Sequence, residues 1–324
     1  MFPRQTGVAL ITAVLISAII TLMVFAMVEQ QLVDARRASN VTQRYQAYMF
    51  AEWAEGWAKR ILLEDAKNGA LDHKREDWTT VIPPFEVDGG LISGSIVDRN
   101  GCFNLNNLVD AGVGQADDVE RYKRLLLALD LDVGLADATV DWLDKDSQLS
   151  FPHGAESDYY ARLEPPYAIA NQELLSSSEL MAIKGYNSEV MAQLIPHICA
   201  LPKRVKSKVN VNFATAPVLM SMAPGLTEAI AEEIIEARDK PQQGLTTKNG
   251  FAKMQDMFDV PGLKNLLNAQ SGLQAKIETA YGLSSNYFLL QTEASFDRSD
   301  MIVYSLLERG SNTIKTHFRA QGSY

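Results

Sequence analysis

An uncharged apolar run of 21 residues, Val8 to Val28, constrains this chain of 324 residues more than any other feature. It reads VALITAVLISAIITLMVFAMV, has no Gly or Pro, and carries only the hydroxyls of Thr12, Ser17 and Thr21. At about 1.5 Å per residue, a helix of that length is roughly 30 Å long, the thickness of a bilayer's hydrocarbon core. Arg4 precedes the run, and Glu29, Asp34, Arg36 and Arg37 follow it. The slight positive-inside bias of that short tail puts the N-terminus in the cytoplasm and the bulk outside. A secretory signal would have a shorter apolar core, and no A-x-A site followed by a turn comes after Val28. Instead the helical pattern continues to about Leu63 with no Pro and only Gly56. Leu32, Ala35, Tyr45, Tyr48, Phe50, Trp53, Trp57 and Ile61 recur at roughly three- and four-residue steps. The pattern predicts one long helix, its first half suited to a membrane and its second half amphipathic.

Beyond the helix, Pro83 and Pro84 break the pattern, and Phe85 to Asp98 reads as a short hairpin with a Gly89-Gly90 turn. From Cys102 to about Tyr281 the chain reads as short helices and loops, among them ERYKRLLLALDL, SSSELMAIKGY, SEVMAQLIPHICALP, TAPVLMSMA and TEAIAEEIIEARDK. Strands return at Tyr287 to Phe296, Met301 to Arg309 and Asn312 to Arg319, separated by DRSD and RGSN turns. The order is therefore helix, strands, helical block, strands. It predicts an α+β fold with a large all-α block between two sets of strands.

Several constellations bear on chemistry. Asp141, Asp144, Asp146, Glu156 and Asp158 lie in an acidic stretch held by Pro152 and Gly154, and Asn171 adds a further oxygen. Calcium takes six to eight such oxygens. The stretch is not an EF-hand, because Gln148 falls on the next ligand slot, the turn Gly is missing and Ala155 stands at the twelfth position. By composition alone it reads as a solvated acidic loop. Residues 210–239 resemble a helix-hairpin-helix, with related hairpins at Ile183-Lys184-Gly185-Tyr186 and Val260-Pro261-Gly262-Leu263. This raises a rival reading, a membrane-anchored DNA-binding protein of a competence-type system. Glu228, Glu232 and Glu233 follow the central hairpin where a phosphate would want Lys or a bare helix N-terminus, and 40 acids against 30 Lys and Arg leave a net charge of -10. Nucleic acid is therefore not an expected partner. Cys102 and Cys199 have no metal-ligand spacing and are either one disulfide or two inert thiols, an oxidising compartment favouring the bond. His73, His153, His197 and His317 lie far apart in sequence, and no nucleophile or phosphate-loop motif accompanies them. Neither an enzyme nor an organic cofactor is indicated.

MFPRQTG followed by VALITAVLISA is similar to a type IV prepilin leader, with a short basic stretch, a Gly before the cut and an apolar helix after it. The resemblance implies cleavage by a prepilin peptidase after Gly7 and methylation of Val8. Most pilins and pseudopilins carry Glu at the fifth mature position; here it is Thr12, which suits a subunit at the fibre tip. Together with GCFNLNNLV, DWLDKDS, GAESDYY, PPYAIANQELLSSSEL, ICALP and KVNVNFATAPVL, the layout resembles the GspK family of minor pseudopilins of type II secretion systems over essentially the whole chain. What this implies is a pilin-like fold, a long N-terminal helix packed on a small antiparallel sheet, with residues 1–7 as leader, 8–28 as membrane part, 29–103 and 282–324 as the pseudopilin α+β domain, and 104–281 as the large all-α domain inserted between strands. It further implies calcium on Asp141, Asp144, Asp146, Glu156, Asp158 and Asn171, although where relatives tend to read Gly-Ala-Glu-Asp this chain has Ser157 between Glu156 and Asp158. The implied setting is the bacterial inner membrane and its lipid, with the bulk periplasmic. The implied partners are other minor pseudopilins, the major pseudopilin, the inner-membrane secretion platform and the peptidase.

Overall fold

The computed structural model describes residues 6–69, 71–87, 89–202, 207–240, 250–296 and 299–322. Met1 to Gln5 of the leader and Asp297-Arg298 of the DRSD turn lie outside them. Helix α1 is continuous from Thr6 to Asn68 and stops at Gly69, a few residues later than the sequence pattern suggested. An 18-residue window of it has a mean hydropathy of 2.8, and none of that window is buried in the protein. It is a single helix long and apolar enough to serve as a membrane anchor.

The C-terminal half of α1 packs on a five-stranded antiparallel sheet formed by β1 (Ile82–Val87), β2 (Gly90–Asp98) and three later strands. Pro83 and Pro84 lie within β1, which is tolerable because β1 is an edge strand and its register shifts there. The buried stripe of α1 is Ala47, Ala51, Glu55, Ala58 and Leu62, at three- and four-residue steps. Its small residues let the helix approach the sheet closely, so that Ala58 and Leu62 meet Trp78, Ile96, Phe288, Leu290 and Leu307 in one cluster.

Between β2 and the remaining sheet strands the chain builds the insert, which carries the largest core of the molecule. It contains β3 (Phe103–Asn104), β4 (Val109–Asp110), β5 (Val113–Gly114), α2 (Ala116–Ala128), α3 (Gly134–Leu143), α4 (Ser157–Tyr160), α5 (Ser188–Leu194) and β6 (Ile198–Cys199). After these come β7 (Val209–Asn210), α6 (Ala216–Met220), α7 (Glu228–Asp239), α8 (Met254–Phe258), α9 (Pro261–Ala269), α10 (Leu273–Ala280) and β8 (Tyr281–Gly282). The insert is thus not wholly helical, as the sequence pattern had suggested. Its two-residue ladders are too short to show any alternation in sequence.

Those ladders reveal an internal repeat. β3 pairs parallel with β6, and β7 pairs parallel with β8, so each half opens and closes on one short ladder. Phe103-Asn104-Leu105-Asn106 opens the first half and Val209-Asn210-Val211-Asn212 the second. The Oδ1 atoms of Asn104 and Asn210 accept the amides of Asn106 and Asn212 at 3.2 and 3.0 Å. Asn106 then exchanges hydrogen bonds with the backbone of Leu174, and Asn212 does the same with Phe251. Buried amides of this kind hold loops that have no ladder of their own. Cys102 and Cys199 form a disulfide across the first ladder, closing a span of 97 residues. On the chain-entropy estimate such a crosslink is worth about 4 to 5 kcal/mol.

The chain returns to the sheet as β9 (Tyr287–Phe296), β10 (Ser299–Arg309) and β11 (Ile314–Gln321), in the order β1-β2-β9-β10-β11. β11 is tied to α1 through Glu55, which is buried. Arg319 donates from Nε at 2.7 Å, Thr316 from Oγ1 at 2.5 Å, and Lys59 pairs at 2.7 Å. Burial pushes the Glu55 carboxyl up, but the bonds from Arg319, Lys59 and Thr316 together outweigh it and hold it at about 2. Such a depressed carboxylate stabilises the fold above the unfolded glutamate value, and the contribution is lost as pH falls from about 4.5 towards 2. Glu55→Gln in the full chain should therefore lose on the order of 3 kcal/mol at neutral pH by urea unfolding, with the gap from wild type closing towards pH 2.

Candidate functional site

The acidic residues are brought together where α3 ends. Every residue of α3 is buried, so Asp141 in its last turn is forced inside, and the chain leaves the helix at Asp144 with extended backbone. It returns at Glu156, the buried residue that precedes α4 and makes no capping bond with its side chain. One carboxylate oxygen from each of Asp144, Asp146 and Glu156 lies within 4.8 Å of the others. Asp141 Oδ1 accepts the Ser150 amide at 2.9 Å, while its Oδ2 is buried without a partner. Asp144 Oδ1 and both oxygens of Glu156 are likewise buried and unpartnered.

Four acids converge here, and among the described residues no ion pair neutralises Asp141, Asp144 or Glu156. The nearby ammonium of Lys184 is spent on the carbonyls of His153 and Gly154, at 3.2 and 3.1 Å. Burial first, and then the charges of Asp146, Asp141 and Glu156, push the Asp144 carboxyl up to about 7. Glu156 is pushed up as well, by burial and then by Asp141. Orphaned buried oxygens with mutually repelling charge fit a hard divalent cation, because it would supply the missing partner for each atom. Asp158 is exposed in the first turn of α4 and lines, with Gly154, Glu156 and Arg162, a cavity of about 780 Å³ open to solvent. Asn171 has a left-handed backbone, φ 47°, and a buried, unpartnered Oδ1.

One of the hairpins that suggested DNA binding has an amide occupied from within. Glu233 Oε2 accepts the Gly262 amide at 2.9 Å, at the N-terminus of α9 where a phosphate would sit. A Cβ on Gly185 would meet Leu135 at 2.7 Å, and one on Gly225 would meet Leu266 at 3.3 Å. The glycines let hairpins pack on neighbouring helices.

Models of one family match both halves of the insert. Each is described as "Type II secretion system (T2SS), protein K", one matching residues 101–203 and the other 209–276. A type II secretion system protein K from Pseudomonas aeruginosa is 31% identical over 319 residues, covering 95% of this chain and 90% of that protein. The chain belongs to the type II secretion system protein K family. The protein K of Aeromonas hydrophila is 32% identical over 291 residues, covering 83% of this chain and 86% of its own. A chain of the GspK-GspI-GspJ complex from enterotoxigenic Escherichia coli shares the fold, with a TM-score of 0.75 and 22% identity, covering 89% of this chain and all of that one. The two matched segments coincide with the two halves delimited by the parallel ladders.

Sequence reasoning missed the residues that hold this chain together, chiefly Glu55, Asp72 and Arg309. Glu55 was detectable, since it falls in step with the apolar face of Ala51, Ala58 and Leu62. Asp72 and Arg309 are 237 residues apart and gave no local signal.

Gly154 allows the acidic loop to close, because a Cβ there would lie 2.1 Å from Asp141 Oδ2 and 2.6 Å from the Ser150 carbonyl oxygen. Gly154→Ala should cost about 1 to 3 kcal/mol by chemical denaturation. Gly56→Ala, where a Cβ meets nothing within 4 Å in a helix, should be neutral or stabilising in the same assay.

Proposed function

We propose that this chain is a membrane-anchored minor pseudopilin at the tip of a periplasmic pseudopilus, where it promotes assembly and the export of folded proteins. Cleavage after Gly7 and methylation of Val8 release a mature subunit whose Val8 to Val28 segment lies in the inner membrane, with the N-terminus cytoplasmic. The observation that carries this reading is the membership in the protein K family, joined to an anchor helix that runs without a break into the sheet. Thr12 supports the tip. Its Oγ1 bonds the carbonyls of Val8 and Ala9 in its own helix, at 3.1 and 3.0 Å, so this position offers no carboxylate to a neighbour's amino group.

An exposed stripe of α1 supports assembly with other minor pseudopilins. Val41, Tyr45, Met49, Trp53 and Trp57 recur every four residues and are 44 to 67% exposed. Aromatic residues left in water on a helix are typical of a surface that a partner covers. Trp53 and Trp57 also wall an apolar cavity of about 290 Å³ with Phe85 and Ile92. The major pseudopilin, the secretion platform and the peptidase complete the set of partners.

Calcium is the ion proposed for the acidic loop, held by Asp141, Asp144, Asp146 and Glu156, with Asp158 and Asn171 as further oxygen donors. When bound it would supply positive charge to carboxylates that otherwise repel one another, and so rigidify the loop. No catalytic role is assigned, and the Glu233 contact at Gly262 speaks against a nucleic-acid partner.

Mass spectrometry of the purified N-terminus should find methylated Val8, whereas an intact Met1 would overturn processing. Trp53→Ala with Trp57→Ala should leave the fold intact and sharply reduce secretion; wild-type secretion would remove the case for this surface. Calcium at a hundredfold excess over its Kd should stabilise the full chain by about 3 kcal/mol against chelator. Asp144→Asn should be more stable than wild type in chelator and should respond less to calcium. An identical calcium response in that variant would mean the loop is not the site.

A further inference from the structure

A second group of acids lies where α1, the sheet and the insert meet. Asp65 is on the last turns of α1, and Asp72 and Glu76 are on the connection to β1; one carboxylate oxygen of each lies within 4.8 Å of the others. Asp72 is fully buried and stitches the joint together. Its carbonyl accepts from Asn210 and Asn212 of the insert, at 3.2 and 3.1 Å, and its Oδ2 accepts the Ser285 amide at 2.7 Å. Arg309, at the end of β10, pairs with Asp72 and, at 2.8 Å, with Asp65, and lies over the Phe288 ring.

The charges at this joint do not balance. Arg309 is one cation facing Asp65, Asp72 and Glu76. Asp98 at the end of β2 adds a fourth carboxyl, whose Oδ1 accepts the amides of Asn100 and Gly101 and which burial, and then the charge of Asp72, push up. His73 is buried 3.7 Å from Glu76, but its Nδ1 accepts the Arg75 amide and so carries no proton there. On the insert side, Lys74 is 3.6 Å from Asp239, which also pairs with Arg238. Three carboxyl groups with oxygens within 4.8 Å of one another thus face a single guanidinium, and a proton held between Asp65 and Glu76, which unlike Asp72 are not bound to both the Ser285 amide and Arg309, would remove the excess charge. Trp78 Nε1 donates to Glu76 and fixes its direction.

We propose that a proton shared between Asp65 and Glu76 latches the end of α1 to the Asp72 loop, and that its loss to solvent base loosens the joint between the insert and the pilin-like sheet. Burial, and then the charge of Asp65, push the Glu76 carboxyl up to about 8, so the latch is closed at neutral pH. A carboxyl kept protonated by the fold contributes fully below the unfolded glutamate value, about 4.5, and loses that contribution as pH climbs to about 8.

The test compares the full chain in detergent with Glu76→Gln, which keeps a hydrogen-bond donor towards Asp65 but has no proton to lose. Between about pH 5 and about pH 8 the folding constant of wild type should fall, relative to the variant, by up to about tenfold per pH unit. Infrared spectra at neutral pH should show a protonated carboxyl in wild type that is missing in the variant. If Glu76→Gln does not fold, Asp65→Asn serves the same comparison. An equal pH dependence in wild type and variant, or no protonated carboxyl at neutral pH, would overturn the latch. Calcium abolishing the wild-type pH dependence would overturn it too, because a cation would then be the neutralising species.

Discussion

A helix that is free at one end and half-covered by a sheet at the other must be fixed in rotation about its own axis. In this chain buried charge does the fixing. Glu55 has Arg319 and Thr316 of β11 on one side and Lys59 of its own helix on the other, and Asp65 two turns and more further on is held by Arg309 of β10. A slip of one residue would leave these charges buried without partners, at a cost of several kcal/mol. The small residues Ala47, Ala51 and Ala58 could tolerate some rotation; the ion pairs could not. Because the sheet face is fixed, the exposed stripe of Tyr45, Met49, Trp53 and Trp57 is fixed as well.

The insert solves a different problem. It lies between β2 and β9, which are neighbours in the sheet, so its two ends must leave and re-enter side by side. Two halves of similar construction, each closed by a two-residue parallel ladder and a pair of buried asparagines, bring the ends together. The disulfide secures the first half. In the second half, the place that Leu201 takes beside Asn106 is taken beside Asn212 by the carbonyl of Asp72, a residue of the pilin-like part. The insert is therefore docked by the same device that builds it, and the acid-rich joint is where the docking occurs.

Much of this was legible in the sequence because it follows from local period and composition. The long helix, the hairpin around Gly89-Gly90 and the three C-terminal strands were found within a few residues, since each has a periodic apolar pattern and a turn at its ends. Asp141, Asp144, Asp146 and Glu156 were found because acids clustered among prolines and glycines are conspicuous. α3 escaped a separate assignment because it is buried on every side and has no polar face to mark its period. The parallel ladders and the repeat escaped because two residues show no alternation and the matching asparagines are about a hundred positions apart.

By itself the sequence determined that this protein has one apolar helix able to cross a bilayer, an α+β body and an acidic loop, because hydropathy, periodicity and charge are local properties of a chain. Only the tertiary structure decided which acids are paired. Glu55 is held ionised by its partners, Asp144 and Glu156 have buried oxygens without a hydrogen-bond partner among the described residues, and Asp65 and Glu76 are crowded together beside Asp72. Those three outcomes depend on burial and on residues up to 264 positions distant. The same kind of carboxyl group is ion-paired, left without a partner or crowded against other acids according to what the fold places beside it.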